Sequence, residues 1–226
     1  MGLPTIDDIN EKQRLEYITA RSILQELLDK NYVSHDLLQE NTLDWGCGSG
    51  GSSLALREHG GLVTAVDTSQ KSIRELVSSE ILPVEQAVLG DGISYLRAQS
   101  DNSFDLVACF LFGPPYVLTS NPRLFSDFYT QANRVLKPEG RIIVTSDQST
   151  FKKIAERVRN YGEIVNLEES LAGFGSTQVF VGRKQDRVYV PAMESPFDIG
   201  KFHNKNSSKG IISYLGRYKP QIPSTK

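Results

Sequence analysis

Thr42-Leu43-Asp44-Trp45-Gly46-Cys47-Gly48-Ser49-Gly50-Gly51-Ser52-Ser53-Leu54-Ala55-Leu56-Arg57-Glu58-His59 is the stretch whose period changes decide the fold. A short strand runs into a glycine turn, and a helix follows until Gly60-Gly61 stops it. The same alternation continues downstream. Leu62 to Val66 reads as a strand ending at Asp67, and Ser69 to Ser79 as its helix. Glu85 to Leu89, Ile93 to Gln99 and Ser103 to Phe110 read as strand, short helix and strongly apolar strand. Asn121 and Pro122 offer an N-cap and a first-turn proline for a helix to Leu136. Lys137-Pro138-Glu139-Gly140 then turns into the strand Arg141 to Thr145. Phe151 to Tyr161 reads as a helix, and Glu163 to Leu167 and Thr177 to Val181 as two closing strands. Repeated βα steps imply parallel pairing, so the expected fold is α/β, a doubly wound, mostly parallel seven-stranded sheet with helices on both faces.

Upstream, Ile9, Leu15, Ile18, Ile23, Leu24, Leu27 and Leu28 follow a helical spacing from Asp8 to Lys30. Residues 1–40 therefore form a helical cover, residues 41–183 the α/β body and residues 184–226 an irregular extension broken by Pro191, Pro196, Gly200, Gly210, Gly216, Pro220 and Pro223. The helical pattern alone does not say whether the cover closes a pocket or contacts another chain.

The 226 residues are 39% apolar and 23% charged, proportions that exclude collagen, coiled coil and wholesale disorder. With 25 basic and 27 acidic residues, no whole-chain field draws the protein to nucleic acid or membrane. The charge is uneven, however: residues 187–226 carry a net +5 and residues 1–186 a net −7. Cys47 and Cys109 lie in no CxxC pair, so neither a disulfide scaffold nor a zinc site is expected, and no metal is indicated. No apolar stretch reaches membrane-spanning length, and Ile6 stands where a myristoylation signal needs Ser or Thr. A reduced, cytoplasmic setting without membrane contact is the expectation.

A glycine turn between strand and helix lets backbone N–H groups approach a ligand without Cβ obstruction. Gly46, Gly48 and Gly51 satisfy GxGxxG, and Asp67 lies where an acid would hold ribose hydroxyls, so a nicotinamide dinucleotide fits this spacing. Asp44 tilts the choice, because a carboxylate two residues before the first glycine repels a pyrophosphate and attracts an ammonium or sulfonium. In Leu43 to Gly50 the sequence resembles the first motif of the class I S-adenosylmethionine-dependent methyltransferases. The resemblance continues through Val66-Asp67, Gly90-Asp91-Gly92, Phe104-Asp105-Leu106-Val107 and Leu136-Lys137-Pro138-Glu139-Gly140, covering roughly residues 42–182.

That resemblance implies a Rossmann-like methyltransferase whose cofactor is S-adenosylmethionine. Asp44 with Gly46, Cys47, Gly48 and Gly50 would hold its methionine end, and Asp67 and Thr68 the ribose. Asp91 would meet the adenine amino group, Gly92 and Ile93 the ring, and Phe110 would end its strand beneath the cofactor. Each of these residues also suits a plain fold: Asp67 and Asp91 as helix caps, Phe110 and Cys47 as core.

No catalytic base is identifiable. Gly113-Pro114-Pro115-Tyr116 lacks the Asn or Asp that amino-group methyltransferases place before Pro-Pro-Tyr, leaving Tyr116 and Asp147 as candidate substrate contacts. His35 reads as a surface residue, His59 as a partner of a helix C-terminus and His203 as part of the extension. The apolar loop from Phe110 to Val117 favours a small apolar or aromatic acceptor. The alternatives are a protein or RNA acceptor docked by the basic extension, a cofactor-binding protein without catalysis, or an oxidoreductase.

Overall fold

The computed structural model describes residues 2–110, 122–147, 162–166 and 177–183. Helix α1 (Glu11–Asp29) and a single helical turn, α2 (His35–Leu38), precede the sheet. Then follow β1 (Asn41–Trp45), α3 (Gly51–Arg57), β2 (Leu62–Asp67), α4 (Gln70–Ser78), β3 (Ala87–Leu89), α5 (Gly92–Ala98) and β4 (Phe104–Cys109). Helix α6 (Pro122–Val135) leads into β5 (Leu136–Asp147), and β6 (Gly162–Asn166) and β7 (Thr177–Arg183) close the sheet. The strand order is β3-β2-β1-β4-β5-β7-β6. The first five are parallel, and β7 runs antiparallel to both β5 and β6.

This order reverses between β1 and β4. Chain connections leave that point in opposite directions, opening a crevice at the carboxyl ends of the two strands. The glycine turn after β1 lies at that point.

Strand alternation builds two cores from one sheet. Val63 and Ala65 of β2, Leu106 and Ala108 of β4 and Ile143 of β5 join Ile23, Leu24 and Leu27 of α1, Leu54 of α3 and Leu76 of α4. The residues between them, Leu43, Trp45, Val66, Val107, Cys109, Ile142 and Val144, join Ile93 and Leu96 of α5 and Phe128, Tyr129 and Val135 of α6. Residues buried on both faces explain the nearly continuous apolar runs of the inner strands.

Several boundaries differ from the sequence expectation. Helix α1 starts at Glu11, not Asp8, because the Asn10 side chain accepts from the Gln13 N–H while the Gln13 side chain accepts from the Asn10 N–H, a capping box. The strand expected from Glu85 is shortened to Ala87–Leu89, with a 3-10 turn over Val84–Gln86. Lys137 to Gly140, expected as a turn before the strand, is part of β5. There the pairing jumps from Phe104 opposite Leu136 to Leu106 opposite Arg141, with Glu139 at φ 66°. The helix expected over Phe151–Tyr161 falls outside the described residues.

The carbonyls at the end of α5 are held by α6. Arg134 donates to the backbone oxygens of Leu96 (2.8 Å) and Gln99 (2.9 Å) and pairs with Asp101. Arg134→Met should therefore lower stability by about 1–2 kcal/mol, a fall in melting temperature of about 3–6 °C by thermal unfolding.

Candidate functional site

Gly46, Gly48 and Gly50 take φ values of 72°, 56° and 103°, a left-handed run that residues with a Cβ rarely adopt. This lets the chain leave β1, reverse and enter α3 within five residues. Leu43 and Trp45 face the α5–α6 core, so alternation turns Asp44 toward α3. There its Oδ2 accepts from the hydroxyls of Ser52 (2.7 Å) and Ser53 (2.6 Å). Oδ1 is buried without any hydrogen-bond partner. The carboxylate expected to project toward a ligand is thus wholly enclosed. Burial pushes its pKa up to about 6, the two serine bonds oppose the rise, and the charges of Glu16 and Asp67 add to it.

Glu16 is the residue that sequence reasoning missed. Helix α1 crosses the glycine turn, and Glu16 Oε2 accepts from Ser49 Oγ (3.0 Å) and the Gly51 N–H (3.3 Å). The wholly buried Gln13 donates to the Ser49 carbonyl at 2.9 Å. One turn further along, the Tyr17 hydroxyl reaches both oxygens of Glu58 at 2.8 Å. The approach is close enough that a Cβ on Gly48 would stand 2.7 Å from Glu16 Oε1. A Cβ on Gly51 would stand 2.3 Å from the Gln13 carbonyl oxygen. The helical spacing of α1 identified an amphipathic cover but carried no sign of where its polar residues land.

Asp67 ends β2 beside this turn. Its Oδ2 accepts from the Gly48 N–H (3.0 Å) and its Oδ1 from the Ser69 N–H (2.7 Å). Burial raises its pKa, while these backbone bonds and Lys12 oppose the rise. Thr68, the neighbouring candidate, is exposed. Glu16, Asp44 and Asp67 therefore surround one turn with negative charge. Burial, and after it the charges of Asp44, Asp67 and Glu16, hold the Cys47 thiol well above its ordinary pKa, which disfavours the thiolate.

The other candidates are positioned as follows. Asp91 is the N-cap of α5, accepting from the Ser94 N–H (2.8 Å) and hydroxyl (2.6 Å). Gly92 lies so close to the Trp45 indole that a Cβ would stand 1.7 Å from its Nε1, and Trp45 in turn stacks on Phe128 at 4.4 Å. The Ile93 side chain is wholly buried in the α5–α6 core. Cys47 and Phe110 are buried in the core beneath α1, while Cys109 lies in the opposite core. Both cysteines are free. Of Asp147 only its backbone place is described, the last residue of β5; Tyr116, His203 and the extension from residue 187 lie outside the described residues.

A concavity of about 580 Å³ is lined by Asp29, Tyr32, His35, Glu40, Glu139 and Arg141, among others. It adjoins Glu40, immediately before β1, and the early residues of β5, the amino ends of those strands. Open parallel sheets bind ligands at the opposite, carboxyl ends, and none of the candidate cofactor residues lines this groove. Nearby, His35 and His59 approach with ring centroids 6.0 Å apart. Among the described residues no group of three or more His, Cys, Asp or Glu could hold a metal, and no helix is long and apolar enough to cross a membrane.

Residues 43–144 match the family model described as a methyltransferase domain. The span begins in β1 and ends in β5, enclosing the glycine turn, Asp67 and Asp91. No curated protein sequence matches the chain. Among solved structures, the PH0226 protein of Pyrococcus horikoshii is 19% identical with a TM-score of 0.53, covering 79% of this chain and 94% of its own. A putative S-adenosylmethionine-dependent methyltransferase of Listeria monocytogenes is 16% identical with a TM-score of 0.51, covering 75% and 99%. A probable spermidine synthase of Corynebacterium glutamicum is 13% identical with a TM-score of 0.53, covering 78% and 65%. At these identities the likenesses establish the fold. The activity comes from the family match, which makes residues 43–144 the methyltransferase domain of an enzyme. The match spans residues 43–144 of the 226, so what it shows is a methyltransferase domain within the chain, consistent with the class I S-adenosylmethionine-dependent methyltransferases.

The residues present fit that cofactor. An orphaned, buried carboxylate oxygen beside a glycine turn is a costly arrangement that a cationic ligand group would relieve. Asp67 suits the ribose of either cofactor, but the charges of Asp44 and Glu16 beside the turn disfavour a pyrophosphate, in keeping with the cofactor of the matched family.

Proposed function

We propose that the enzyme transfers a methyl group from S-adenosylmethionine to a small apolar or aromatic metabolite in the cytoplasm. Asp44, Gly46, Cys47, Gly48 and Gly50 would hold the methionine end of the cofactor through carboxylate and backbone. Asp67 and Thr68 would take the ribose, Asp91, Gly92 and Ile93 the adenine, and Phe110 would support it from below. The cover of residues 1–40, the body of residues 41–183 and the extension of residues 184–226 are the functional divisions of this reading. The observation that carries it is the unpartnered Oδ1 of Asp44 beside the glycine turn.

Bound S-adenosylmethionine supplies a methyl group already activated on a sulfonium. This chain must then bind, orient and exclude water, since in-line transfer from so good a donor rests mainly on positioning at about 3–3.5 Å. The Asp67 carboxylate is fixed by two backbone N–H groups, so its remaining lone pairs keep one direction. The apolar sequence from Phe110 to Val117 supports an apolar acceptor, with Tyr116 and Asp147 as its contacts.

Two measurements test this. S-adenosylhomocysteine should raise the melting temperature and NADH should leave it unchanged; the reverse result would remove the assignment. With labelled methyl donor and a metabolite extract, the label should appear in small molecules. A second reading, a protein or RNA acceptor, draws on the net +5 of residues 187–226. Deleting that segment should then abolish labelling of polymer while leaving S-adenosylhomocysteine affinity intact.

Protonation adds a signed prediction. A ligand ammonium facing Asp44 favours the ionised carboxylate, so below pH 6 binding must first expel a proton. Affinity for S-adenosylhomocysteine should be flat above pH 7 and weaken toward pH 5, by at most about tenfold per pH unit. Titration calorimetry across that range checks it, and the slope should vanish in Asp44→Asn.

A further inference from the structure

We infer that Glu16, from a helix outside the matched domain, is a ligand of the cofactor's α-ammonium group and makes α1 a wall of the cofactor site. This rests on the assignment of the glycine turn to S-adenosylmethionine. The two oxygens of Glu16 are used unequally. Oε2 accepts from Ser49 Oγ and the Gly51 N–H, which fixes the carboxylate over the turn. Oε1 makes no hydrogen bond among the described residues; its nearest cation is Lys12 Nζ at 3.6 Å, on a side chain that is 60% exposed. That oxygen faces Gly48, where the absence of a Cβ leaves the backbone bare.

A second observation points to the same ligand group. Asp44 Oδ1 is fully buried and unpartnered, and its carboxylate is close enough to Glu16 for the two charges to interact. Two carboxylate oxygens without donors, one on β1 and one on α1, whose charges interact, suit an ammonium, which carries three N–H donors and no acceptor. They do not match the ligand's own carboxylate, which Glu16 would repel. The Ser49 and Gly51 bonds hold the carboxylate before any ligand arrives, so little ordering remains for binding.

S-adenosylhomocysteine and its deaminated analogue, which keeps the carboxylate and adenosine, isolate the ammonium. By calorimetry the wild-type protein should prefer S-adenosylhomocysteine by about tenfold or more, the order expected of a charge-assisted hydrogen bond. Glu16→Gln preserves an acceptor for Ser49 and Gly51 but removes the charge. It should weaken S-adenosylhomocysteine about tenfold and leave the analogue within about twofold. Equal weakening of both ligands would mean that α1 only props the turn, and unchanged binding of S-adenosylhomocysteine would mean that Glu16 touches nothing; either overturns the inference. So would a wild-type protein that binds both ligands equally, a measurement that needs no variant. A wild-type protein that binds neither would instead sink the cofactor assignment itself.

Discussion

Gly51→Ala is expected to separate α1 from the glycine turn and to weaken S-adenosylhomocysteine binding by at least about tenfold while the α/β body still folds. The new Cβ would meet the Gln13 carbonyl oxygen at 2.3 Å, Glu16 Cβ at 2.5 Å and the Tyr17 nitrogen at 2.5 Å. Two of those three atoms are helix backbone, which no rotamer change can withdraw. The helix must shift bodily, and with it go the bonds from Gln13 to Ser49 and from Gly51 to Glu16. Overpacking of this kind costs about 3 kcal/mol, or about 6–12 °C of melting temperature at this chain length. Thermal unfolding and calorimetry on the same variant check both halves. Wild-type affinity together with wild-type stability would show that α1 does not rest on the turn as described.

Asp44→Asn should give the opposite combination, a loss of ligand affinity with a gain in relative stability at neutral pH. In the wild type the carboxyl has a pKa of about 6 in the fold against an ordinary value of 3.8. A group whose pKa is raised on folding contributes stability that is fully present below pH 3.8 and is lost as pH rises through 6. The stability of the wild type relative to Asp44→Asn should therefore fall by about 3 kcal/mol between pH 3.5 and pH 7.5. Comparing the two pH series removes the constant cost of an unpaired amide, which affects both ends equally. Denaturant titration at several pH values measures it. S-adenosylhomocysteine affinity should meanwhile drop by about a hundredfold, as when one partner of a buried charged pair is removed. A variant that binds as the wild type does would take Asp44 out of the site.

On the proposed reading, stability and binding are opposed at this turn. The chain keeps an ionisable group wholly buried, one oxygen clamped by Ser52 and Ser53 and the other left without a donor. Such a group is unfavourable in the free protein and favourable once a cation meets it. The same logic extends to Glu16, whose charge raises the Asp44 pKa further.

Much of this was legible from residue order because it is local. A strand, a run of glycines and a helix occupy consecutive residues, so the turn and the placement of Asp44 and Asp67 near strand ends follow from period changes alone. The doubly wound sheet followed likewise from repeated βα steps. Boundaries were less legible where a side chain decided them. The Asn10–Gln13 capping box moved the start of α1, and the irregular pairing near Glu139 drew an expected turn into β5.

What the residue order determined by itself is the class of fold, the glycine turn and the carboxylates of Asp44 and Asp67 beside it, since each depends on neighbours within a few residues. Tertiary structure alone decided that Asp44 is enclosed and that Glu16 reaches a turn more than thirty residues downstream. A helix's amphipathic period says that one face will be buried but not against what. That choice belongs to α1 crossing bare backbone at Gly48 and Gly51, a close approach that depends on how the whole sheet is wound.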